Sequence, residues 1–243
     1  MLFHRNLLKI NLDDKKMAPK SKLKGPDGGA QLLKHLILGA ERSCRTYLNL
    51  AGYAFPGYAP ESFIQAGAFQ QLKGFSTTHA VLEESVLSTI GFADHGRKGP
   101  LKKPVRKGRY DIVVYWGRGK PRAAIEVKSP VNALDKRKYV KDFDRLIHTV
   151  CGTDGNSIQF TSFLFLTVKK GKNMDFKVAR KAIDELVDRL KTEAKKRSEK
   201  YPIKVTSTNG RTYNARDDSA SGAWRITSIT FSRKATGATS REK

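Results

Sequence analysis

Acidic residues are scarce in this sequence. Its 243 residues include 23 Asp and Glu against 47 Lys and Arg, which gives a formal net charge of +24 and a pI of about 10.1. This excess is far larger than solubility requires, so it predicts a polyanionic partner. DNA is the expected partner and RNA the alternative, since both are lined with phosphates. A simpler interpretation, a solvated charged face, applies to residues 191–200 but not to the whole excess.

Long apolar runs, cysteine pairs and several common motifs are also missing. No apolar run is long enough to cross a bilayer, and no basic amphipathic helix with a wide aromatic face suits a membrane surface, so no membrane partner is expected. Cys44 and Cys151 are far apart and outside metal-binding spacing, which predicts two reduced core residues. There is no Walker loop, Gly-rich dinucleotide turn, HExxH or nucleophile elbow. A cytoplasmic protein is the default expectation. Met17 is an alternative translation start to Met1.

Composition along the chain predicts one large domain with appendages. Residues 1–30 are rich in Lys, Gly and Pro and are expected to form a flexible basic arm, and residues 234–243 a disordered tail. The single domain between them spans residues 31–233 and needs no disulfide to bury a core. We divide it into a helical part, a core, and a closing helix with strands, which cover residues 31–76, 77–168 and 175–233.

Two short apolar runs contain three ionisable residues. Asp111 lies in the run RYDIVVYW, and Glu126 and Lys128 lie in AAIEVKSP. Both runs are typical of strands, and the turn residues 117–121 between them predict a β-hairpin. Because side chains alternate along a strand, Glu126 and Lys128 point to one face and the hairpin brings Asp111 beside them. Two neighbouring carboxylates repel each other, and a bound divalent cation is the usual reason to hold them together.

The spacing Asp-x14-Glu-x-Lys in this setting resembles the PD-(D/E)xK nuclease superfamily, although Tyr110 stands where the motif has proline. The resemblance implies an α/β, restriction-endonuclease-like αβββαβ core with a mixed central sheet flanked by helices, here with an N-terminal helical extension. It implies that Asp111 and Glu126 bind Mg²⁺, for which Mn²⁺ substitutes, and that Lys128 assists the attacking water. The Val127 carbonyl, between two site residues, is a candidate further ligand.

A fourth site residue is expected upstream of the hairpin. The spacing of apolar residues predicts a helix over residues 79–90, capped by Thr77 or Thr78, with Glu83 among the core-facing side chains. The superfamily has an additional Glu on a helix ahead of the Asp-bearing strand, and Glu83 is assigned that role in catalysis and metal coordination. The alternative is a Glu at the edge of the apolar stripe that reaches solvent.

Between this helix and Asp111 lies a strongly basic segment. It packs seven basic residues into thirteen and would lie at the mouth of the site, where it is expected to hold a nucleic-acid backbone. The alternative is a solvated loop, and a short strand around residues 101–105 is a further interpretation. The candidate nucleic-acid-binding residues are Arg97, Lys98, Lys102, Lys103, Arg106, Lys107 and Arg109.

Elsewhere the periodicity predicts four more helices and three more strands. In the predicted crossover helix, Asp142 and Arg145 are either a surface pair or a pair that supports the site. In the last predicted strand, the core-facing residues change from even to odd positions between Ile226 and Ile229, which predicts a bulge. The aromatic residues of the stretch 53–60 are interpreted as core or loop packing, with a base-stacking platform as the alternative. The helices are expected at residues 31–50, 61–72, 134–150 and 176–198, and the strands at 158–168, 202–206 and 223–233, the first of these parallel to an earlier strand.

The sequence therefore predicts a Mg²⁺-dependent phosphodiesterase that cleaves DNA, with endonuclease activity expected. One alternative is RNA cleavage by the same chemistry. The other is a nucleic-acid-binding protein without cleavage, in which Glu126 and Lys128 form a buried ion pair. A homodimer is compatible with the sequence but does not follow from it.

Overall fold

A computed structural model describes residues 28–74, 78–93, 108–117, 119–131, 136–151 and 157–234. The expected N-terminal arm and C-terminal tail lie almost entirely outside these residues. The helices are α1 (Gly28–Ala51), α2 (Glu61–Gln70), α3 (Val86–Ala93), α4 (Lys136–Val150) and α5 (Phe176–Ser198), with 3-10 turns at Pro56–Tyr58 and Gln71–Gly74. The strands are β1 (Thr78–Ser85), β2 (Arg109–Trp116), β3 (Pro121–Lys128), β4 (Phe160–Gly171), β5 (Ile203–Asn209), β6 (Tyr213–Arg216) and β7 (Ser221–Arg233).

One mixed sheet of seven strands organises the described chain. Its order is β1-β2-β3-β4-β7-β5, with β6 also paired to β7. Strands β3 and β4 are parallel and every other pair is antiparallel. The predicted hairpin, the crossover helix and the mixed sheet flanked by helices are therefore confirmed. In the described part of the chain, no helix combines the length and the apolar character needed to cross a membrane.

Helices cover both faces of the sheet and create two cores. On one face, α1, α2 and the first 3-10 turn pack on side chains that include Ile125 and Val127. On the other face, α3, α4 and α5 pack on side chains that include Val113 and Phe163. Ile125 and Val127 share one face, as the alternation of a strand requires, so Glu126 between them points toward α4.

Burial on both faces also explains the pattern in β7. The predicted bulge between Ile226 and Ile229 is wrong, because β7 pairs with β4 in one uninterrupted register from Ser221 to Ser232. Trp224 and Ile226 belong to the first core, whereas Ile229 belongs to the second. Buried residues therefore occur at both even and odd positions of β7, because both faces of the strand are covered, and no extra residue in the strand is needed.

The predicted helix over residues 79–90 is wrong in its first half. Residues Thr78–Ser85 form β1, which pairs antiparallel with β2, and the helix begins only at Val86. His79 stacks on its cross-strand partner Tyr115, with ring centroids 4.9 Å apart. Without β1, the backbone groups along one edge of β2 would lack strand partners, so sheet pairing outweighs the helical spacing of the side chains.

Helices α1 and α2 cross at two glycines. A Cβ on Gly39 would overlap the Gly67 carbonyl oxygen, and one on Gly67 would overlap the Ser43 side chain. Ser43 Oγ also donates a hydrogen bond to the Phe63 carbonyl at 2.6 Å. This close approach fixes the position of α2 against the sheet.

Gly67→Ala is expected to lower the free energy of unfolding by about 1–3 kcal/mol, because the added methyl group overlaps α1 and the helices cannot separate without losing core contacts. Urea denaturation measures the change. Gly91→Ala in α3 is the matched control, since a Cβ there meets nothing within 4 Å. It is expected to be neutral or to stabilise by up to about 1 kcal/mol. Equal effects from the two variants would contradict the close crossing.

Candidate active site

The hairpin holds Asp111 and Glu126 opposite each other. Its last paired residues on this side are Ile112 and Ile125, and one further step in the same register brings Asp111 opposite Glu126. Directly opposite residues have Cβ atoms about 4.5–5.5 Å apart and share a face of the sheet. Asp111 Oδ2 accepts a hydrogen bond from the Val127 backbone N–H at 2.5 Å. The end of the ladder therefore fixes the Asp111 carboxylate beside Glu126.

The Asp111 carboxyl is electrostatically frustrated. Burial, followed by the nearby charge of Glu126, raises the pKa of Asp111 to about 7. The Val127 N–H and the Lys128 ammonium favour the ionised form, but they do not outweigh these two effects. At neutral pH the protonated and ionised forms of Asp111 are therefore both populated. A bound cation would relieve the repulsion between the ionised Asp111 and Glu126.

Lys128 bridges the acidic groups of the site. Its Nζ lies 3.0 Å from Glu126 Oε1, 3.2 Å from Glu61 Oε1 and 2.9 Å from the Val127 carbonyl oxygen. Burial alone would lower the pKa of Lys128, but Glu126, Glu61 and Asp111 outweigh it and hold the pKa above its usual value. Lys128 is therefore an ammonium throughout the physiological range.

Glu61 is the site residue that the sequence did not reveal. It is the first residue of α2, and its Oε2 also accepts a hydrogen bond from the Ser129 backbone N–H at 3.2 Å. The first turn of a helix favours a carboxylate, so its position has a local reason. The sequence signal for Glu61 is its place on a helix ahead of the Asp111 strand, which is the place that the resemblance predicts for Glu83.

Glu83 lies near the site but does not join it. It is exposed, stands on β1 with a φ of 56°, and contacts neither Lys128 nor Glu126 in the described structure. Its Oε1 accepts a hydrogen bond at 3.0 Å from Gln65 Nε2, which also donates to the Asp111 carbonyl oxygen at 2.7 Å. The expectation that Glu83 points to the core from a helix is therefore wrong, because the residue belongs to a strand and reaches solvent.

Arg145 closes the site from the α4 side. Its Nη2 lies 2.6 Å from Glu126 Oε2 and 2.8 Å from Asp142 Oδ1. Only 4% of Glu126 is exposed, so the carboxylate is buried between two cations. Burial and the charge of Glu126 raise the pKa of Asp142 to about 6. Asp142 and Arg145 support Glu126 and are not an ordinary surface pair.

Of the seven basic residues in the predicted segment, only Arg109 lies within the described residues. It is the first residue of β2, two positions before Asp111, and it is exposed. Its position at the end of the strand agrees with an approach to the site. The other six candidates, Arg97, Lys98, Lys102, Lys103, Arg106 and Lys107, lie outside the described residues.

A metal site requires a suitable donor set. Among the described residues, no group of three or more His, Cys, Asp or Glu side chains is close enough to hold a metal ion, so Glu83, Asp111 and Glu126 do not form the predicted cluster. Asp111, Glu126 and the Val127 carbonyl nevertheless supply hard oxygen donors. Mg²⁺ is commonly held by one or two carboxylates together with waters and substrate phosphates, and Mn²⁺ takes the same ligands. Burial and the charge of Glu126 together raise the pKa of Asp111, and a bound cation would offset both effects, so this donor set fits a divalent cation.

Comparisons with family models, with curated proteins and with solved structures find no match to this chain. What the site can do therefore follows from its own residues. Fixed carboxylates, a permanent ammonium and a nearby exposed arginine suit the binding of a hard cation together with a phosphate group.

Proposed function

We propose that this protein is a Mg²⁺-dependent nuclease that hydrolyses DNA phosphodiester bonds. One observation carries the proposal: Asp111, with its pKa raised to about 7, stands opposite Glu126, and Lys128 lies against that second carboxylate. Carboxyls whose pKa is strongly perturbed by burial and by a specific charged neighbour cluster at functional sites. The formal net charge of +24 favours a phosphate backbone, for which DNA is the proposed source and RNA the alternative.

The order of elements supports a restriction-endonuclease-like assignment. From α2 to β4 the chain runs helix, three strands, helix and strand, apart from the short α3 inserted between β1 and β2. This is the αβββαβ order of the PD-(D/E)xK core, with α2 as its first helix. On this assignment Glu61 is the helix carboxylate of the family, and the hairpin carries the remaining motif residues.

Each residue of the site has a chemical role in this proposal. Asp111, Glu126 and the Val127 carbonyl would hold Mg²⁺, which when bound polarises a phosphoryl oxygen and lowers the pKa of water. Lys128 keeps its proton, because the surrounding carboxylates hold its pKa above the usual value. It therefore orients water and neutralises developing charge on the phosphoryl group, and it is not the general base. Glu61 positions the ammonium.

Incubation of supercoiled plasmid with Mg²⁺ or Mn²⁺ tests the proposal. We expect nicked and linear products with either metal and none with excess EDTA, and cleavage of a closed circle identifies an endonuclease. An identically purified Asp111→Asn protein controls for contaminating nucleases. Linear duplex, single-stranded DNA and RNA complete the substrate set. Intact DNA in every reaction would disprove the DNA nuclease, and cleavage of RNA alone would assign the site to RNA.

Glu61 and Glu83 differ in expected importance. Glu61→Gln is expected to reduce cleavage by about 10- to 100-fold, because Lys128 loses a charged partner that positions it. Glu83→Gln is expected to change the rate by less than about threefold, since its carboxylate contacts only Gln65 among the described residues. Single-turnover cleavage rates measure both, and thermal unfolding checks that both variants fold. A larger loss for Glu83→Gln than for Glu61→Gln would support Glu83, and not Glu61, as the upstream carboxylate of the site.

A second function has specific support. Lys128 contacts one carboxylate oxygen of Glu126 and Arg145 contacts the other. This arrangement favours a structural ion network in a nucleic-acid-binding protein without cleavage. That protein binds DNA with a steep salt dependence but holds no divalent cation at the site. Isothermal titration with Mn²⁺ distinguishes the two functions. The nuclease binds Mn²⁺ in a way that Asp111→Asn abolishes, whereas the binding protein shows no such site.

A further inference from the structure

Three tyrosines, of which two are exposed and one packs partly against the first core, form an aromatic cluster near the site. We call Tyr47, Tyr53 and Tyr58 the tyrosine cluster. The ring centroids of Tyr53 and Tyr58 are 5.7 Å apart, and those of Tyr47 and Tyr53 are 6.2 Å apart. Tyr53 is 52% exposed and Tyr58 is 68% exposed. Packing in the core therefore does not explain these two rings, although it does explain Phe55, which is buried.

The tyrosine cluster borders the proposed active site. Tyr58 ends the 3-10 turn that leads into α2, only three residues before Glu61. Three residues span at most about 11 Å, and the Glu61 carboxylate lies against Lys128. Tyr58 is therefore close enough to Lys128 for one bound nucleic-acid strand to contact both.

Positive charge accompanies the rings. Lys170, near the end of β4, is exposed, and its Nζ lies 5.4 Å from the centroids of both the Tyr58 and Phe55 rings. Lys172, just after β4, is also exposed. Aromatic faces for bases together with cations for phosphates are the two components of surfaces that bind single-stranded nucleic acid.

We propose that the tyrosine cluster binds unpaired bases of a DNA strand held at the active site. Bases stack on Tyr53 and Tyr58 while Lys170 contacts the neighbouring backbone. A paired base within a duplex cannot offer its face to these rings, so the preferred substrate has a single-stranded segment beside the bond that is cut. This inference rests on the proposed nuclease function, because that function supplies the strand at Lys128.

Metal-free binding measurements test the tyrosine cluster separately from cleavage. With EDTA present, fluorescence anisotropy gives the affinity for a labelled 20-nucleotide oligo(dT) and for a duplex of the same length. The Tyr53→Ala/Tyr58→Ala double variant is expected to bind the single strand at least about tenfold more weakly, because bases lose both stacking partners. Its duplex affinity is expected to stay within about twofold of the wild-type value.

Two controls make the result specific. The Tyr53→Phe/Tyr58→Phe double variant keeps both rings and is expected to bind the single strand within about threefold of wild type. Phe92→Ala removes an exposed aromatic from α3, on the other face of the sheet, and is expected to change neither affinity. An unchanged single-strand affinity in the double Ala variant, an equal loss on the duplex, or no wild-type binding of oligo(dT) would overturn the inference.

The binding measurements and the plasmid cleavage assay together separate the two proposals. Selective loss of single-strand binding in the double Ala variant, with no plasmid cleavage by wild type, supports the tyrosine cluster and contradicts the nuclease. Cleavage that depends on Asp111, with no effect of the tyrosines on oligo(dT) binding, overturns the tyrosine cluster and supports the nuclease.

Discussion

Asp111→Asn is expected to lower metal-dependent DNA cleavage by at least about a thousandfold and, at the same time, to stabilise the metal-free fold at pH 8. The loss of cleavage corresponds to roughly 4 kcal/mol of transition-state stabilisation, a reasonable value for the loss of a metal-binding carboxylate. The gain in stability has a separate cause in the same residue, because the ionised carboxyl is repelled by Glu126 and poorly solvated.

The sign of the stability change follows from the pKa of Asp111. Its folded-state pKa is raised from 3.8 to about 7, so the folded protein binds the proton more tightly than the unfolded chain does. The residue therefore lowers stability progressively as pH rises from about 4 to about 7, and by a constant amount above that. Three pKa units represent roughly 4 kcal/mol. We therefore expect a gain of about 2–4 kcal/mol at pH 8 and little change at pH 4.

Urea denaturation in EDTA at several pH values measures this effect. Because the pKa of Asp142 is also raised, to about 6, Asp111→Asn removes only part of the decline in stability with pH. Asp188→Asn, an exposed position on α5, is the control and is expected to alter neither cleavage nor stability. A variant that loses cleavage and is also less stable at pH 8 would mean that Asp111 has a structural role.

Arg145→Met is expected to lower the free energy of unfolding by about 3–5 kcal/mol at pH 8. The substitution keeps much of the side-chain volume but leaves the buried carboxylates of Glu126 and Asp142 without their shared cation. Removal of one partner from a buried ion pair is far more harmful than removal of an exposed one, because the remaining charge is desolvated. The loss should be smaller at pH 5, since burial and the charge of Glu126 already raise the pKa of Asp142 to about 6 and favour its protonated form there.

Arg189→Met is the matched control for Arg145→Met. Arg189 and Glu185 lie 3.7 Å apart on α5, and their side chains are 70% and 52% exposed. Such a pair contributes about 0–1 kcal/mol. Urea denaturation of the two variants at pH 8 compares a buried cation with an exposed one on neighbouring helices. A similar small loss in both variants would contradict the buried network around Glu126.

Local pattern predicted most of this architecture. The predicted helix over residues 176–198 matches α5 residue for residue, because its apolar spacing is regular and its ends have ordinary signals. Asp111, Glu126 and Lys128 were found because charges inside strand-like runs are conspicuous. Their mutual placement needed only the alternation of a strand and the register of one hairpin.

Contacts between distant residues were beyond the reach of local pattern. Local pattern does not reveal Glu61, because its role depends on a contact with Lys128, which is 67 residues away in sequence. The residues next to Glu61 carry no signal of that contact. Residues 79–85 were assigned to a helix because their strand pairing depends on β2, which begins well downstream. Tyr53 and Tyr58 lie in the same short aromatic stretch as Phe55, and only the folded chain separates the exposed rings from the buried one.

The two partners of Lys128 differ in the length of chain that each contact encloses. Glu126 is two residues away on the same strand, whereas Glu61 is 67 residues away on another layer of the fold. The loop-closure entropy of a contact grows with the length of chain that it encloses, so the contact with Glu61 is the more costly to form. Local opening of the protein should therefore separate Lys128 from Glu61 before it separates Lys128 from Glu126. The hairpin is therefore expected to keep Glu126 and Lys128 together even when the contact with α2 is lost.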